Sequence, residues 1–363
     1  MMVSRHEIET LRPSRPVLSP WSKPRVSFES EPNGEGGIAF TTTVFLTGAE
    51  CPFRCSMCDL WMHTTIDRTP VGAIPFQLRE ALRKEPEGDG YTRATKRWLK
   101  LYNASNFFDP RAIPVEDYAE IAELCRGYDR VIVENHPELS DERVLSFAKA
   151  IDAKLEIAMG LETVHPAAMD LLNKSMTLAN FGTAVRFCSS HHIDVRAFVL
   201  LHPPGVERQD SVDWTWKTID FAFETGVRHT SVIPVRSGNG WIDQQRALGR
   251  YSIPDLQMVS NFFSQVGARM VSSVDRVLAF DLWDWEKIPG GTASEREQLF
   301  RRIQSYNTTQ NFDLPPKETA DSMDLPHGKG PITTRSVSEG YRIPRLRFGP
   351  ILNHQPPKTG GEQ

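Results

Sequence analysis

The chain has 363 residues, of which 39% are hydrophobic and 24% are charged, and its formal net charge is −4. This size suits one large domain, or one domain with a small appendage, and the composition is typical of a globular protein with disordered margins. The slight negative charge argues against a surface coated with basic residues for nucleic acid and leaves room only for a local basic patch.

The two ends of the chain are rich in proline and glycine. Residues 1–37 contain five prolines and end in Asn-Gly-Glu-Gly-Gly, which predicts a flexible N-terminal lead-in. Residues 311–363 are interrupted by prolines at short intervals and predict a mostly disordered tail. The first residues contain no apolar secretion signal, and no apolar run approaches the roughly 18 residues of a membrane helix, so we expect a cytoplasmic protein.

Strands alternate with helices between these margins. Strands are predicted over 38–46, 97–102, 131–134, 155–161, 195–201 and 230–235. The helices predicted between them are 74–83, 115–128, 141–151, 166–173, 178–190 and 211–225. This alternation implies a parallel sheet with right-handed crossovers, either a partial barrel or an open doubly wound sheet. We expect this core to span 38–250.

A C-terminal extension packed on the core is expected over 251–310. Residues 254–268 and 295–304 predict two helices there, and 277–283 fit a final strand. No internal repeat of fixed period is visible. The expected organisation is therefore one α/β core with a small extension.

Three of the five cysteines, Cys51, Cys55 and Cys58, fall within eight residues directly after the first predicted strand. An odd number of cysteines does not suit a disulfide framework, so the cluster indicates metal binding or catalysis. Three thiolates on a four-iron cluster leave one iron open to a bound molecule. The alternatives are a structural zinc site with His63 as a further ligand, or cysteines that only pack.

The pattern C-x3-C-x2-C directly after the first strand resembles the signature of the radical S-adenosylmethionine (SAM) superfamily. This resemblance implies a partial (β/α)6 TIM-like barrel, a [4Fe–4S] cluster on the three catalytic cysteines, and SAM bound at the open iron. It also implies reductive cleavage of SAM to a 5′-deoxyadenosyl radical that abstracts hydrogen from a substrate. The electron then comes from a low-potential donor such as flavodoxin or ferredoxin. Met57 stands where the superfamily usually has an aromatic residue, and its sulfur can still pack on adenine.

Further stretches resemble the branch that includes RaSEA of archaeosine biosynthesis and the radical SAM domain of the Elongator catalytic subunit. They are residues 55–61, 69–77, 106–109, 131–134, 159–163, 173–174 and 201–204. This resemblance implies a modified nucleoside or a tRNA as substrate. The alternatives are a small molecule or peptide, or a non-catalytic iron–sulfur or zinc-binding adaptor. The residues after the core are too few for an acetyltransferase domain, so we do not expect an Elongator subunit.

The resemblance also implies where SAM is bound. Its amine is expected to meet Asn103, Ser105 and Asn106, which follow the second strand and offer hydrogen-bond acceptors, with a plain strand-ending turn as the alternative. His202 follows the fifth strand and is expected to border the adenine, with a rigid turn as the alternative.

Two carboxylates and two cations complete the predicted cofactor contacts. Glu134 and Glu162 each end an apolar strand, where a carboxylate is disfavoured unless a polar group meets it. The ribose hydroxyls or the amine of SAM would serve, and a salt bridge with Arg130, Lys174 or Arg196 is the alternative. Lys174 and Arg196 are candidates for the SAM carboxylate, with surface positions as the alternative.

Other suggestive residues favour simpler explanations. Cys125 and Cys188 each share a helical stripe with apolar residues and are predicted to be core residues. The basic stretches 93–100 and 296–302 are candidates for nucleic-acid contact, although solvated faces explain such stretches more often.

Overall fold

The computed structural model describes residues 3–84, 96–270, 275–281 and 284–314. The strands form one sheet of eight in the order β1 to β8. Their bounds are β1 (Arg25–Pro32), β2 (Ile38–Phe45), β3 (Lys96–Tyr102), β4 (Arg130–Glu134), β5 (Lys154–Glu162), β6 (Asp194–Leu201), β7 (His229–Pro234) and β8 (Val277–Phe280). The first pair is antiparallel and every later pair is parallel. The carboxyl ends of β2 to β8 therefore share one edge of the sheet.

Among the α-helices of the described residues, α1 precedes these strands and the others connect or follow them. They are α1 (Arg5–Thr10), α2 (Ala73–Leu82), α3 (Tyr118–Leu124), α4 (Glu142–Ala150), α5 (Pro166–Leu172), α6 (Leu178–Ser190), α7 (Ser211–Thr225), α8 (Trp241–Ala247), α9 (Leu256–Ser264), α10 (Val266–Arg269) and α11 (Ala293–Thr309). Among these helices there is none whose length and apolar character would let it span a bilayer.

An ion pair across the concave face shows that the sheet is curled. Arg196 lies on β6 and Glu31 on β1, with 2.9 Å between Nη1 and Oε2. In a flat sheet these two strands would be five spacings apart, about 24 Å. Arg196 also donates from Nε to Glu156 on β5 over 2.7 Å. The strands therefore wrap around a narrow, partly polar interior.

The opposite face of the sheet is covered by helices. Buried apolar residues of β3, β4, β5 and β6 form one cluster with residues of α2, α3, α4 and α6, among them Leu101, Ile157 and Phe181. The concave face carries a smaller apolar cluster that includes Trp98 and Ile132. Sheet residues thus alternate between an outer and an inner core, as a half-barrel requires.

The helix α11 covers the outer edge of β8, which pairs with no further strand among the described residues. Asn307 accepts the Phe280 N–H and donates to the Phe280 carbonyl, both over 2.8 Å. Gln310 makes the same pair of bonds to Leu278, over 3.1 and 3.0 Å. Two side-chain amides thus replace a neighbouring strand and satisfy the edge backbone groups, which would otherwise be open to pairing.

The expected fold class, a partial α/β barrel of TIM-like topology, is confirmed. The barrel has seven parallel strands instead of six, because the final strand predicted over 277–283 is present over Val277–Phe280. The predicted helix 115–128 is shorter, since a 3₁₀ turn occupies 115–117 before α3. The helix α8 had no counterpart in the sequence prediction.

The prediction of a flexible N-terminal lead-in differs from the structure. This region contains α1 and β1, and β1 pairs with β2 along its whole length. The Asn-Gly-Glu-Gly-Gly segment is the hairpin turn between them: Asn33 Oδ1 accepts the N–H groups of Glu35 and Gly37. Four of the five prolines lie outside α1 and β1, and Pro32 only ends the strand, so the prolines do not interrupt pairing.

Some predictions fall on residues that the structure does not describe. These are the tail from 315 onward, residues 282–283 of the predicted final strand, and residues 93–95 of the first basic stretch. They stay predictions.

Candidate functional site

The cysteine loop begins where β2 ends, at the edge formed by the carboxyl ends of the parallel strands. Its two arms are joined by backbone hydrogen bonds, from Thr65 N–H to the Gly48 carbonyl (2.8 Å) and from Glu50 N–H to the Thr65 carbonyl (2.9 Å). The segment between them, which contains the three cysteines, is therefore a closed loop. All three cysteines are partly exposed as whole residues.

The middle of the loop is fastened to the elements that follow β5 and β7. Ser56 donates from its hydroxyl to the Leu171 carbonyl over 2.7 Å and from its N–H to the Leu172 carbonyl over 2.9 Å. Asn173 Nδ2 donates to the Arg54 carbonyl over 2.9 Å. Asn239 Nδ2 donates to the Ser56 carbonyl over 2.6 Å. Tertiary contacts therefore fix the positions of Cys55 and Cys58.

Burial raises the pKa of the three thiols. The pKa of Cys55 rises to about 12, and the nearby Lys174 ammonium only partly opposes the effect. The pKa values of Cys51 and Cys58 are raised for the same first reason. Thiols of this kind give up their protons on binding a metal, because the metal charge replaces the missing solvation of the thiolate.

The described residues contain no set of three or more His, Cys, Asp or Glu side chains arranged to hold a single metal ion. Sulfurs that bind an iron–sulfur cube attach to different irons, so they need not converge on one point. His63, the additional ligand in the zinc alternative, is exposed at the end of a short 3₁₀ helix.

The turn after β3 brings polar groups beside the cysteine loop. Asn106 Nδ2 donates to Cys51 Sγ over 3.1 Å. Both polar atoms of the buried Asn103 side chain and the hydroxyl of Ser105 are enclosed without a hydrogen-bond partner among the described residues. Ala104 between them has φ of +52°, a left-handed conformation that costs an alanine about 1 kcal/mol or more. Enclosed, unpaired polar groups on strained backbone are the features of a ligand-binding turn.

Glu134 at the end of β4 faces this turn. Its Oε2 accepts the N–H groups of Asn103 (3.0 Å) and Ala104 (3.2 Å). Burial nevertheless raises the pKa of this carboxyl to about 7, because the two hydrogen bonds only partly offset the loss of solvation. Glu134 can therefore gain or lose a proton near neutral pH.

Glu162 at the end of β5 pairs with Lys174, with 2.7 Å between Oε1 and Nζ. A salt bridge of this kind is the alternative to a SAM contact that the sequence left open for Glu162. Glu162 has φ of +67° and lies at a bulge in the pairing with β6. The pair lies directly over Gly160, where any Cβ would collide with both side chains. Lys174 is also close enough to Cys55 for its ammonium to favour the thiolate form of that cysteine.

Arg196 does not belong to this site, contrary to its predicted role. It is bound to Glu156 and Glu31 on the concave face. Its position lies five residues before the end of β6 at Leu201, about 17 Å along the strand. Hydrophobic pattern located β6 correctly but did not show at which level of the strand a partner for Arg196 would lie.

His202 and Met57 lie at the site edge but are engaged by protein contacts. His202 Nδ1 is 2.5 Å from the Ser211 hydroxyl, and its ring stacks on Tyr251. Burial lowers the pKa of His202 to about 4, so it is neutral at pH 7. Met57 packs against an apolar cluster that includes Leu172. These contacts match a rigid turn and core packing.

Sequence reasoning missed a ring stack that joins the loop to the segment after β4. Phe53 lies between the first two cysteines and stacks on His136, with centroids 3.7 Å apart. The His136 ring nitrogen Nε2 is 3.0 Å from the Lys174 carbonyl. Burial lowers the pKa of His136 to about 3, so the stacked ring is neutral at pH 7. Only the position of Phe53 inside the motif hinted at this role.

The remaining candidates behave as core or surface residues. Cys125 and Cys188 are buried in the outer core, as predicted. In the second basic stretch, Arg296 donates to the carbonyls of Glu286 and Gly290, and Arg302 lies over the Phe263 ring. Intramolecular contacts therefore account for these basic residues.

No family model matches the chain, and no curated protein matches it. Among solved structures, it is similar to the radical S-adenosylmethionine methyltransferase TsrM from Kitasatospora setae with tryptophan substrate and a SAM analogue bound (15% identity, TM-score 0.41). It is also similar to the archaeal Elp3 of Methanocaldococcus infernus (11%, 0.47) and to coproporphyrinogen III oxidase, a radical SAM enzyme from Escherichia coli (13%, 0.36).

These likenesses cover 61%, 64% and 48% of this chain. The chain in turn spans 41%, 59% and 40% of the length of those three chains. At such identities and TM-scores they carry no argument about activity.

Proposed function

We propose that this chain is a radical SAM enzyme whose cluster is held by Cys51, Cys55 and Cys58. The observation that carries the proposal is the placement of three thiols on one anchored loop at the carboxyl ends of the barrel strands. In parallel barrels this edge is where catalytic loops gather. The signature spacing of the cysteines adds the expectation of a [4Fe–4S] cluster with one iron open to SAM.

The donor set fits such a group. Three soft sulfur donors suit iron, and the Asn106 amide already donates to one of them. When bound, the cluster supplies the electron that cleaves SAM to methionine and a 5′-deoxyadenosyl radical, which takes hydrogen from the substrate. The chain's own residues bind and orient the reactants and limit their contact with water.

The turn after β3 is the proposed site for the amine end of SAM. Asn103 and Ser105 offer enclosed polar atoms that have no partner among the described residues. Glu134 keeps Oε1 available while Oε2 holds the turn, and a bound ammonium would favour its ionised form. Lys174, already paired with Glu162, would meet the carboxylate of SAM as a second anion.

For the substrate we propose a modified nucleoside, free or within tRNA, on the basis of the resembling stretches in the sequence. The proposed electron donor is a small low-potential protein such as flavodoxin or ferredoxin, in the cytoplasm. A nucleoside or tRNA that is consumed only together with SAM would support this class, and consumption of a peptide or small metabolite instead would replace it.

The test is anaerobic reconstitution with iron and sulfide, followed by reduction in the presence of SAM. The proposal expects a brown protein with visible cluster absorbance that forms 5′-deoxyadenosine and methionine. Replacing any one loop cysteine with serine should abolish both signals, because each thiolate binds its own iron. The matched controls are Cys125→Ser and Cys188→Ser, which should keep them. A zinc-loaded protein without 5′-deoxyadenosine would show that the adaptor alternative is correct.

A further inference from the structure

The carboxylate of Glu50, directly before Cys51, is shared by three arginines. Arg12 Nη1 lies 2.8 Å and Arg54 Nη1 lies 3.2 Å from Oε1, and Arg15 pairs with Oε2. The Glu50 side chain is only 11% exposed. Removing such a carboxylate would leave several partly buried cations without their counter-charge, which is strongly unfavourable.

Arginine side chains, not secondary structure, hold the backbone between the first two cysteines. Arg54 Nη1 donates to the carbonyls of Cys51 (2.5 Å) and Phe53 (3.0 Å). Arg5 Nη2 donates to the Pro52 carbonyl over 3.1 Å. Three successive carbonyls are thereby directed to guanidinium groups, which fixes the curvature of the loop.

The N-terminal segment that contributes Arg5, Arg12 and Arg15 is itself fixed to the domain. Ile8 of α1 is 2% exposed. Glu9 accepts from Arg54 Nε over 2.6 Å. The Leu11 carbonyl packs so closely on Gly240 that any Cβ there would collide with it, and Gly240 has φ of +96°. These contacts therefore fix the position of the N-terminal segment relative to the cysteine loop.

The same segment also contacts the far side of the cysteine loop. Arg12 and Arg15 lie over the Trp61 ring, 4.7 and 5.4 Å from its centroid. Arg15 Nη1 donates to the carbonyl and the hydroxyl of Thr64, over 3.1 and 2.9 Å. Trp61 follows Cys58 by three residues, so the N-terminal segment contacts residues both before Cys51 and after Cys58.

We propose that residues 3–15 form a strap that holds the cysteine loop in its metal-binding shape before any metal arrives, with Glu50 and Arg54 as positioning residues. The strap keeps the loop ordered in the apo-protein and so lowers the entropy lost when the thiolates bind. Only the identity of the metal group rests on the proposed function. The strap itself rests on contacts within the chain.

Alkylation of the metal-free protein tests the strap without an assay of enzyme activity. The full-length apo-protein is treated with iodoacetamide, and the rate at each cysteine is followed by peptide mass spectrometry. In Glu50→Gln and in a chain lacking residues 1–15, the three loop cysteines should react about tenfold faster, since loss of the strap lets the loop open and exposes thiols that are only partly exposed in the closed loop. Cys125 and Cys188 should keep their slow rates and so report that the core is folded.

The matched control is Glu80→Gln. Glu80 is also 11% exposed and also pairs with two cations, Lys23 and Arg83, but it lies on α2. Glu80→Gln should leave the alkylation rates of the three loop cysteines unchanged. If Glu50→Gln unfolds the core, Arg54→Lys decides instead, because lysine keeps the charge but not the multiple donors, and a rise of about threefold or more is then expected.

Unchanged loop rates in the folded Glu50→Gln, Arg54→Lys and shortened proteins would overturn the strap. Iron content after reconstitution gives an independent reading, which should fall in the same variants. A wild-type chain that takes up no cluster would end the proposed function, yet the alkylation rates would still decide the strap.

Discussion

The side-chain amide of Asn106 donates a hydrogen bond to the sulfur of Cys51, with 3.1 Å between Nδ2 and Sγ. Asn106 lies on the turn after β3 and is 4% exposed, so the bond is shielded from water. Hydrogen bonds to cysteine sulfurs stabilise the more negative state of an iron–sulfur centre and so raise its reduction potential.

Replacing Asn106 with alanine should therefore lower the midpoint potential of the reconstituted cluster by tens of millivolts. The scale follows because about 1.4 kcal/mol corresponds to 59 mV in a one-electron couple. A redox titration followed by electron paramagnetic resonance gives the value. The exposed Asn261→Ala serves as control, and an unchanged potential in Asn106→Ala would mean that the bond only orients Cys51.

The buried pair of Glu162 and Lys174 should show strong energetic coupling in the apo-protein. Glu162→Gln or Lys174→Met alone leaves a buried charge unpaired, which costs about 3–5 kcal/mol of unfolding free energy. The double variant should lose clearly less than the sum, as measured by urea unfolding. The exposed pair Arg79 and Glu120, at 44% and 50% exposure, should couple by less than about 1 kcal/mol. Additive losses at the buried pair would contradict the assignment.

Substituting Gly160 with alanine tests the same pair from the backbone side. A Cβ at this position would meet the carboxylate of Glu162 and the ammonium of Lys174, so the pair must move apart or the strand must shift. Both atoms are the ends of flexible side chains that can shift, so we expect a smaller loss than breaking the pair, about 1–3 kcal/mol, measured by the same urea unfolding. Gly34→Ala is not a fair control because its φ is positive. Ala197→Gly on β6 makes the reverse change at a buried position and measures the cost of strand glycine together with the loss of one buried methyl group.

Glu134 should make stability depend on pH in the opposite sense to a salt-bridged carboxylate. Its folded pKa of about 7 lies above the ordinary 4.5, so the folded protein keeps the proton that the unfolded chain loses. The resulting penalty is absent below pH 4.5, grows between 4.5 and 7, and is complete above 7.

Glu134→Gln keeps an acceptor for both backbone N–H groups but cannot ionise. It should equal the wild type in unfolding free energy near pH 4.5 and exceed it by about 3 kcal/mol above pH 7. Urea unfolding of the apo-protein across this range measures the difference. A difference that does not change with pH would show that Glu134 keeps an ordinary pKa.

The amide bonds of Asn307 to β8 predict a specific loss on substitution. Asn307→Leu leaves the Phe280 N–H and carbonyl unpaired at the sheet edge, which should cost about 2–3 kcal/mol of unfolding free energy. Asn261→Leu on the exposed face of α9 makes the same change without such bonds and should cost under about 0.5 kcal/mol. Equal losses of unfolding free energy in the two variants would show that the Asn307 side chain does not stabilise the edge of β8.

The last residues that the structure describes, 310–314, indicate where shortening the chain would lower its stability. The sequence predicts a mostly disordered tail from residue 311, but the Phe312 ring lies 5.2 Å from Phe263 and packs against Gly267. A chain ending at Leu314 keeps the contacts of Gln310 and Phe312 and should unfold several degrees higher than one ending at Thr309. Thermal unfolding of both apo-proteins decides, and equal midpoints would show that Gln310 and Phe312 contribute nothing.

The sequence by itself determined the alternation of strands and helices, the cysteine loop after β2 and the core positions of Cys125 and Cys188. Each of these depends on local pattern: hydrophobic period, chain spacing, or an apolar helical stripe. The same reasoning placed Asn106 and Glu134 at the carboxyl edge of the sheet, because consecutive parallel strands end on the same side.

Only the tertiary structure decided which charges meet. Glu162 pairs with Lys174, whereas Arg196 pairs with Glu31 on β1, in the region that the sequence predicts as a flexible lead-in. The N-terminal arginines reach Glu50 across 35 or more positions of sequence. Such pairings depend on sheet curvature and on the level of a residue along its strand, and neither quantity leaves a periodic signal in the sequence.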